Sequence, residues 1–505
     1  MDNDSGGEML LKKDRPTEFQ AKPEGRRVPI VVDSRQTYQS MEGFGFALTG
    51  GSAELLMKMT PKARKNILNE LFSRDSLGIS YIRLTVGASD MNGTVFSYDD
   101  MPEGKTDFTL KHFSLANDLG DVVPVMKEIL EINPDIKIMA SPWSAPAWMK
   151  EEYDVRGPKL RRDCYDVYAR YFVKYIQEMA KQGIRIDALT IQNEPLNNRN
   201  TPSMPWDPQD QTEFIRDYLG PHFLSEDIDT RIILFDHNCD RPDYPLAILS
   251  DPEAAMYASG VAFHHYMGDV SAMSQVHSAR PDKDIYFTEQ MIVDRGGFVS
   301  RNIAPNVKRM LIDIPRNWSR NVILWNLAAD PEAGPHTGNG GCPFCHGAIT
   351  IDGDKVSRNI AYYTIAHASA FVPSGSLRIA STAPEDPAMM LSEDEQHPEV
   401  IRVNHYDRSG VLPNVAPQDG PLIEEESHFP RFRRLKTEGD GAVLNQRVSL
   451  SRRLPPALGR EIILRVEAHG QQQWSQRGNY QSFHIISKYK CQRRHSPRSM
   501  RTRLR

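Results

Sequence analysis

From Gly43 onward the chain repeats one rhythm: a short apolar run, a polar loop, then apolar residues at helical spacing. Short continuous apolar runs between turns read as strands buried on both faces. Such runs lie near Gly43–Leu48, Ile79–Val86, Ile136–Ser141, Ala188–Gln192, Ile232–Phe235, Val261–His265, Ile285–Thr288 and Val322–Leu327. Thr60-Pro61 supplies an N-cap and a proline at the first turn, opening a helix over Lys62–Phe72 with Ile67, Leu68 and Leu71 on one face. Asp207-Pro208 opens another, through Tyr218. Val122–Ile132, Tyr165–Lys181, Asn306–Ile314 and Arg358–Ala370 complete most of the set. Eight strands alternating with helices predict a (β/α)₈ barrel over residues 42–372. The alternative, an open doubly wound sheet, lacks its glycine-rich dinucleotide turn after the first strand.

The flanks differ. Residues 1–27 are polar and irregular, a flexible lead-in. Val28–Asp33 and Thr37–Met41 read as two short strands. After Val372-Pro373-Ser374-Gly375 the alternation stops, and Ser376–Ser381 and Val400–Tyr406 read as strands of a small β domain spanning 373–416, shared with the N-terminal pair. Beyond Ala416 the arginines multiply among Ser, Gln and Pro, so 417–505 reads as a disordered basic tail. Nothing there besides charge supports nucleic acid.

Composition narrows the function. The 505 residues carry a net charge of −5, with 39% hydrophobic and 25% charged, ordinary for a globular enzyme and no reason to expect a polyanionic partner. No run reaches the ~18 apolar residues of a membrane span. The N-terminus lacks the apolar core of a secretory signal, so the chain reads as cytoplasmic or as a processed or incomplete exported protein. Five cysteines are too few for a disulfide scaffold.

Chemistry belongs at the strand C-termini of a barrel. There the fourth strand delivers Asn193 and Glu194, with Pro195 stiffening the exit, and the seventh delivers Glu289. An isolated Asn-Glu-Pro is more often a solvated loop; a second strand ending in glutamate overturns that reading. The other exits supply Arg83 and Asp90, Trp143, Asp236 and His237, His264 and Tyr266, and Trp325. Two carboxylates among hydrogen-bonding groups and indole faces are the inventory of a sugar site.

The stretches GFGFALTGGSAELL, SYIRLTVGASD, SPWSAPAWMK, TIQNEP, DHNCDRPDYP, YFTEQ and WNLAADPEAGP occur in order. Together they resemble glycoside hydrolase family 30, which includes glucosylceramidases and microbial endo-β-1,6-glucanases, and the spelling looks closest to the bacterial glucanase branch. The resemblance runs from about Val28 to Ala416. It implies a barrel with a β-sandwich built from both chain ends; beyond Ala416 nothing matches the closing sandwich strands, so the sandwich is expected to be incomplete. It implies a retaining mechanism, Glu194 as acid/base and Glu289 as nucleophile, and a first sugar subsite lined by Arg83, Asp90, Trp143, Asn193, Tyr266 and Trp325. It also implies a secreted or periplasmic location.

Asp236, His237 and His264 join the expected substrate-binding set, although a neutral histidine satisfied in the barrel wall is an equal reading of His264. Cys342-Pro343-Phe344-Cys345-His346 spells a haem-attachment pattern, yet it follows the eighth barrel strand and is short. Zinc with His336 would lack the usual second ligand pair. A glycine-rich loop bounding the site, with or without a local disulfide, is the expectation. The reading is therefore a monomeric β-glycosidase acting on a β-glucan or other β-glucoside, with no metal or cofactor. A carbohydrate-binding protein without catalysis is the competitor, and the presence of both glutamates argues against it.

Overall fold

The computed structural model describes residues 30–292 and 299–382. A first strand, β1 (Val32–Ser40), precedes eight barrel strands. These are β2 (Gly43–Leu48), β3 (Tyr81–Val86), β4 (Lys137–Pro142), β5 (Ala188–Thr190), β6 (Arg231–Cys239), β7 (Ala258–Gly268), β8 (Asp284–Glu289) and β9 (Asn321–Leu324). They form one parallel sheet in the order β8-β7-β6-β5-β4-β3-β2-β9. The seam between β8 and β9 is held by Arg320 N–H to Ile285 C=O at 2.9 Å and by Trp325 N–H to Gln290 C=O at 3.0 Å. Between these, the Asn321 side chain accepts from Phe287 N–H at 2.8 Å, replacing a ladder bond.

Because strand side chains alternate, the residues two positions beyond an inward-facing one also face inward. Tyr81, Met139, Ala188, Ile233, Ala262, Tyr286 and Ile323 form an apolar layer within the barrel. Two residues further along six of these strands stand Arg83, Ser141, Thr190, His264, Thr288 and Trp325. On β6 the same step lands on Phe235. There, however, the pairing with β7 jumps from Phe235↔Ala262 to His237↔Phe263. The extra residue is Asp236, and the backbone takes left-handed values, φ +73° at Phe235 and +59° at Asp236. This bulge turns a carboxylate into the polar layer where alternation alone would leave a phenyl ring. The strain at two non-glycine residues marks the place where chemistry overrides regularity.

Beyond the barrel, β10 (Ala328–Ala329), β11 (Ile349–Asp352) and β12 (Lys355–Arg358) form a small sheet, and β13 (Leu377–Ser381) pairs antiparallel with β1. Both chain ends thus build the flanking sheet that the sequence predicts.

Several details differ from the sequence reading. The two expected N-terminal strands are one, β1, with irregular register that lets it continue through Ser34–Gln36. β5 ends at Thr190 rather than Gln192, because the chain turns there to aim Asn193 and Glu194. The last helix starts at Ile360, since Lys355–Arg358 hydrogen-bonds as a strand with Ile349–Asp352. A helix over Gly50–Lys58, capped by Thr49, escapes the pattern because it begins with two glycines. A Cβ on Gly50 would stand 1.9 Å from the Asn92 amide, so close approach selects glycine there. The lead-in, Val400–Tyr406 and the 417–505 tail lie outside the described residues.

Replacing Asn321 tests the seam. Asn321→Ala orphans the buried Phe287 N–H and should cost about 1–3 kcal/mol of unfolding free energy in urea titrations. An unchanged midpoint would show that this side chain does not help close the barrel.

Candidate active site

The polar layer converges on Asp236. Its Oδ2 accepts from Arg83 Nη2 at 2.7 Å, Thr190 Oγ1 at 2.7 Å and Ser141 Oγ at 3.1 Å. Its Oδ1 accepts from Thr288 Oγ1 at 2.6 Å and faces His264 Nε2 at 3.0 Å. Five strands thus meet on one fully buried carboxylate.

Arg83 carries that anchor upward. Its Nη1 donates to Glu289 Oε2 at 2.6 Å, Nη2 also to Asn193 Oδ1 at 2.7 Å, and Nε to Ser141 Oγ at 3.0 Å. The guanidinium lies 4.8 Å from the Trp143 ring centroid. Its planar fork fits several acceptors at once, which a lysine could not do. Tyr266 donates its hydroxyl to Glu289 Oε1 at 3.0 Å, giving both Glu289 oxygens a donor.

Glu194 is placed by its backbone. Beyond β5, Asn193 N–H donates to Pro142 C=O at 2.8 Å and Glu194 N–H to Asp236 C=O at 3.0 Å, so both neighbouring strands hold the turn. Glu194 itself has φ +48°. Its Oε2 accepts from Asn197 Nδ2 at 2.7 Å, and its Oε1 faces His264 Nδ1 at 3.2 Å. His237 Nε2 stands 3.9 Å from Glu194 Oε1. One oxygen each of Glu194 and Glu289 and a ring nitrogen of His264 lie within 4.8 Å of one another. Trp143 and Trp325 pack beside them, ring centroids 5.3 Å apart, and Met91 next to Asp90 belongs to the same cluster. All eleven predicted residues therefore gather at the C-terminal end of the barrel. Sequence reasoning missed the roles of Ser141, Thr190, Thr288 and Asn197. Hydroxyls inside otherwise apolar strand runs were the available signal for the first three.

Both His264 nitrogens face carboxylates. Burial opposes its charge, but Glu289, Asp236 and Glu194 more than offset this and push it up to about 9. The surrounding carboxylates thus favour the protonated ring. Burial pushes Glu194 up, yet the His264 bond and charge prevail and bring it down to about 2. Burial works against the Asp236 carboxylate too, but Arg83 and His264 hold it well below the usual range. Burial dominates at Glu289, which stays above its ordinary value despite His264 and Arg83. Asp90 is pushed up to about 8 by burial and then by Glu289 and Glu194, and its Oδ1 has no partner among the described residues.

These shifts set the pH dependence of stability. A raised value means that the folded chain keeps a proton that the unfolded chain releases. Stability therefore falls with rising pH from about 4 to about 8 through Asp90, and from about 6.5 to about 9 through His264. Glu194 acts oppositely, its contribution vanishing as pH falls from about 4.5 toward about 2. Asp90→Asn should accordingly raise unfolding free energy at pH 7 by about 2 kcal/mol or more, and change it little at pH 4. Equal effects at both pH values in denaturant titrations would refute an uncompensated carboxyl at this position.

Comparison with known proteins accords with this geometry. The profile of the glycosyl hydrolase family 30 TIM-barrel domain matches residues 41–372. Endo-1,6-beta-D-glucanase neg1 of Aspergillus fumigatus is 33% identical over 358 residues, covering 67% of this chain and 72% of that protein. Lysosomal acid glucosylceramidase of Mus musculus is 30% identical over 398 residues, covering 73% and 75%. The solved structure of the endo-beta1,6-glucanase BT3312 superposes with a TM-score of 0.67 at 36% identity, over 72% of this chain and 82% of that one. No helix among the described residues is long and apolar enough to cross a membrane. The chain belongs to glycosyl hydrolase family 30 and is a glycoside hydrolase.

Proposed function

We propose that the chain cleaves β-glucosidic bonds with retention of configuration, acting on β-1,6-linked glucan. The observation that carries this reading is the carboxylate separation. An oxygen of Glu194 lies within 4.8 Å of one of Glu289, which supports the close-set pair of a double displacement, ~5–5.5 Å between carboxyl groups, over the ~6.5–9.5 Å of an inverting enzyme. The linkage comes from the glucanase relatives.

In the first step the Glu289 carboxylate attacks the anomeric carbon. Arg83 and Tyr266 hold both of its oxygens, so the attack direction is fixed before substrate arrives. The bond to the leaving oxygen breaks as Glu194 protonates it. Without substrate, Glu194 is ionised, and an anion cannot protonate a leaving group. The titratable donor that faces Glu194 is His264, whose Nδ1 lies 3.2 Å away. Transfer of its proton to Glu194 leaves a neutral imidazole whose Nε2–H still bonds Asp236. In the second step Glu194 takes a proton from water, whose oxygen attacks the anomeric carbon and releases Glu289, and that proton passes from Glu194 back to His264 to restore the starting state. In this reading Asn193 bonds the sugar 2-hydroxyl, Trp143 and Trp325 cover ring faces, and Asp90 bonds a hydroxyl outside the reaction centre. Asp236, with both oxygens engaged, serves by positioning Arg83 and His264. A glucosylceramide-like substrate is the second reading, favoured by exposed Leu196 and Met267 on the catalytic face.

Leaving-group dependence tests the proton transfer. Glu194→Ala should lower kcat/KM on β-1,6-linked glucan by about 10²–10⁴-fold, but on 2,4-dinitrophenyl β-glucoside by roughly tenfold or less. Equal losses on the two substrates would contradict an acid role.

A further inference from the structure

The loop that follows β10 carries the Cys342-Pro343-Phe344-Cys345 stretch, which the mechanism above does not use. Cys342 and Cys345 are joined in a disulfide. Cys345 is only 5% exposed and packs in the cluster of Trp143, Trp325 and Met91, the apolar wall of the first sugar subsite. Phe344, one residue earlier, is 56% exposed.

An exposed phenylalanine alone needs no explanation. What distinguishes this one is how firmly its loop is held. Thr337 N–H donates to Asp90 C=O at 2.9 Å, and Thr337 Oγ1 donates to Thr201 C=O at 2.9 Å. Thr201 N–H donates to Gly340 C=O at 3.2 Å. Arg156 Nη1 reaches Asn339 Oδ1 at 2.9 Å. A Cβ on Gly340 would lie 2.5 Å from Arg199 C=O, so glycine lets the loop press against the chain beyond β5, while one on Gly341 would lie 2.2 Å from Thr337 C=O, so glycine also lets the loop fold back on itself. Thr337, Asn339 and Gly340 are thus tied to neighbouring segments, and the disulfide closes the turn that carries the exposed Phe344.

We propose that this loop is a second sugar-binding site. The Phe344 ring is the platform for the glucosyl unit next to the one between Glu194 and Glu289. Aromatic faces take the C–H face of a pyranose, and a ring already held in place loses little freedom on binding. Cys345 packs with the Trp143–Trp325 pair, and Phe344 precedes it in the chain, so the proposed platform adjoins that apolar cluster through the crosslinked turn. The proposal rests on the β-glucan reading.

Three substrates separate the possibilities. β-Glucosyl fluoride fills the first subsite alone. The β-1,6-linked diglucoside extends it on the leaving side, and the β-fluoride of that diglucoside extends it on the other. Phe344→Ala should lower kcat/KM on one extended substrate, relative to β-glucosyl fluoride, by about tenfold. Phe344→Trp should restore the ratio, and the Cys342→Ser/Cys345→Ser double variant should reduce it as Phe344→Ala does. The affected substrate identifies the side. Equal losses on all three substrates would make Phe344 structural, and unchanged ratios would remove it from binding; either overturns the proposal. Wild-type turnover of β-glucosyl fluoride tests the underlying reading by itself. Affinity of the Glu289→Gln protein for β-1,6-linked gluco-oligosaccharides, followed by tryptophan fluorescence, tests the platform independently: adding Phe344→Ala must weaken it about tenfold, and an unchanged affinity refutes the platform.

Discussion

A single carboxylate, Asp236, ties together the barrel strands that carry the reactive groups. It receives Arg83 from β3, Ser141 from β4, Thr190 from β5, His264 from β7 and Thr288 from β8. Burying an anion this deeply is costly unless charged and hydrogen-bonding partners surround it, and here both oxygens are fully engaged. The same partners then reach outward. Arg83 extends to Glu289 and Asn193, and His264 to Glu194. Substituting Asp236 would therefore leave two cations without their anchor while touching neither glutamate, and orientation would be lost at both.

Charge distribution in the pit follows from this arrangement. Two cations, Arg83 and His264, stand against Asp236, Glu194, Glu289 and the partly protonated Asp90. The charges are concentrated where water is scarce, so each proton matters to its neighbours. The site costs stability most clearly at Asp90, a buried carboxyl with one oxygen unpartnered among the described residues.

Much of this was legible in the sequence because the signals were local. Val122–Ile132 and Tyr165–Lys181 carry strong apolar faces and appear as helices with those bounds. Glu194 and Glu289 each follow an apolar run, which locates them near the barrel mouth, although Glu194 is aimed by the turn after β5 rather than by the strand itself. The bulge at Phe235-Asp236 was not legible, since alternation assigns the inward position to Phe235. Nor was the role of His264, whose charge depends on three carboxylates brought from separate strands. The loop of Cys342 and Cys345 offered alternatives that only spatial pairing of the two sulfurs could narrow. Long-range partners, not local propensity, decide these features.

The central claim is that Glu289 forms a covalent bond to the sugar within the frame set by Arg83 and Tyr266. A 2-deoxy-2-fluoro-β-glucosyl fluoride should glycosylate the nucleophile quickly, releasing fluoride from the anomeric carbon, and leave it slowly, because the 2-fluorine destabilises both oxocarbenium-like transition states while the good leaving group spares the first. Peptide mass spectrometry after inactivation should find one fluoroglucosyl group on the peptide containing Glu289, and Glu289→Gln should abolish the labelling. A label on Glu194, or full turnover without any adduct, would contradict the account.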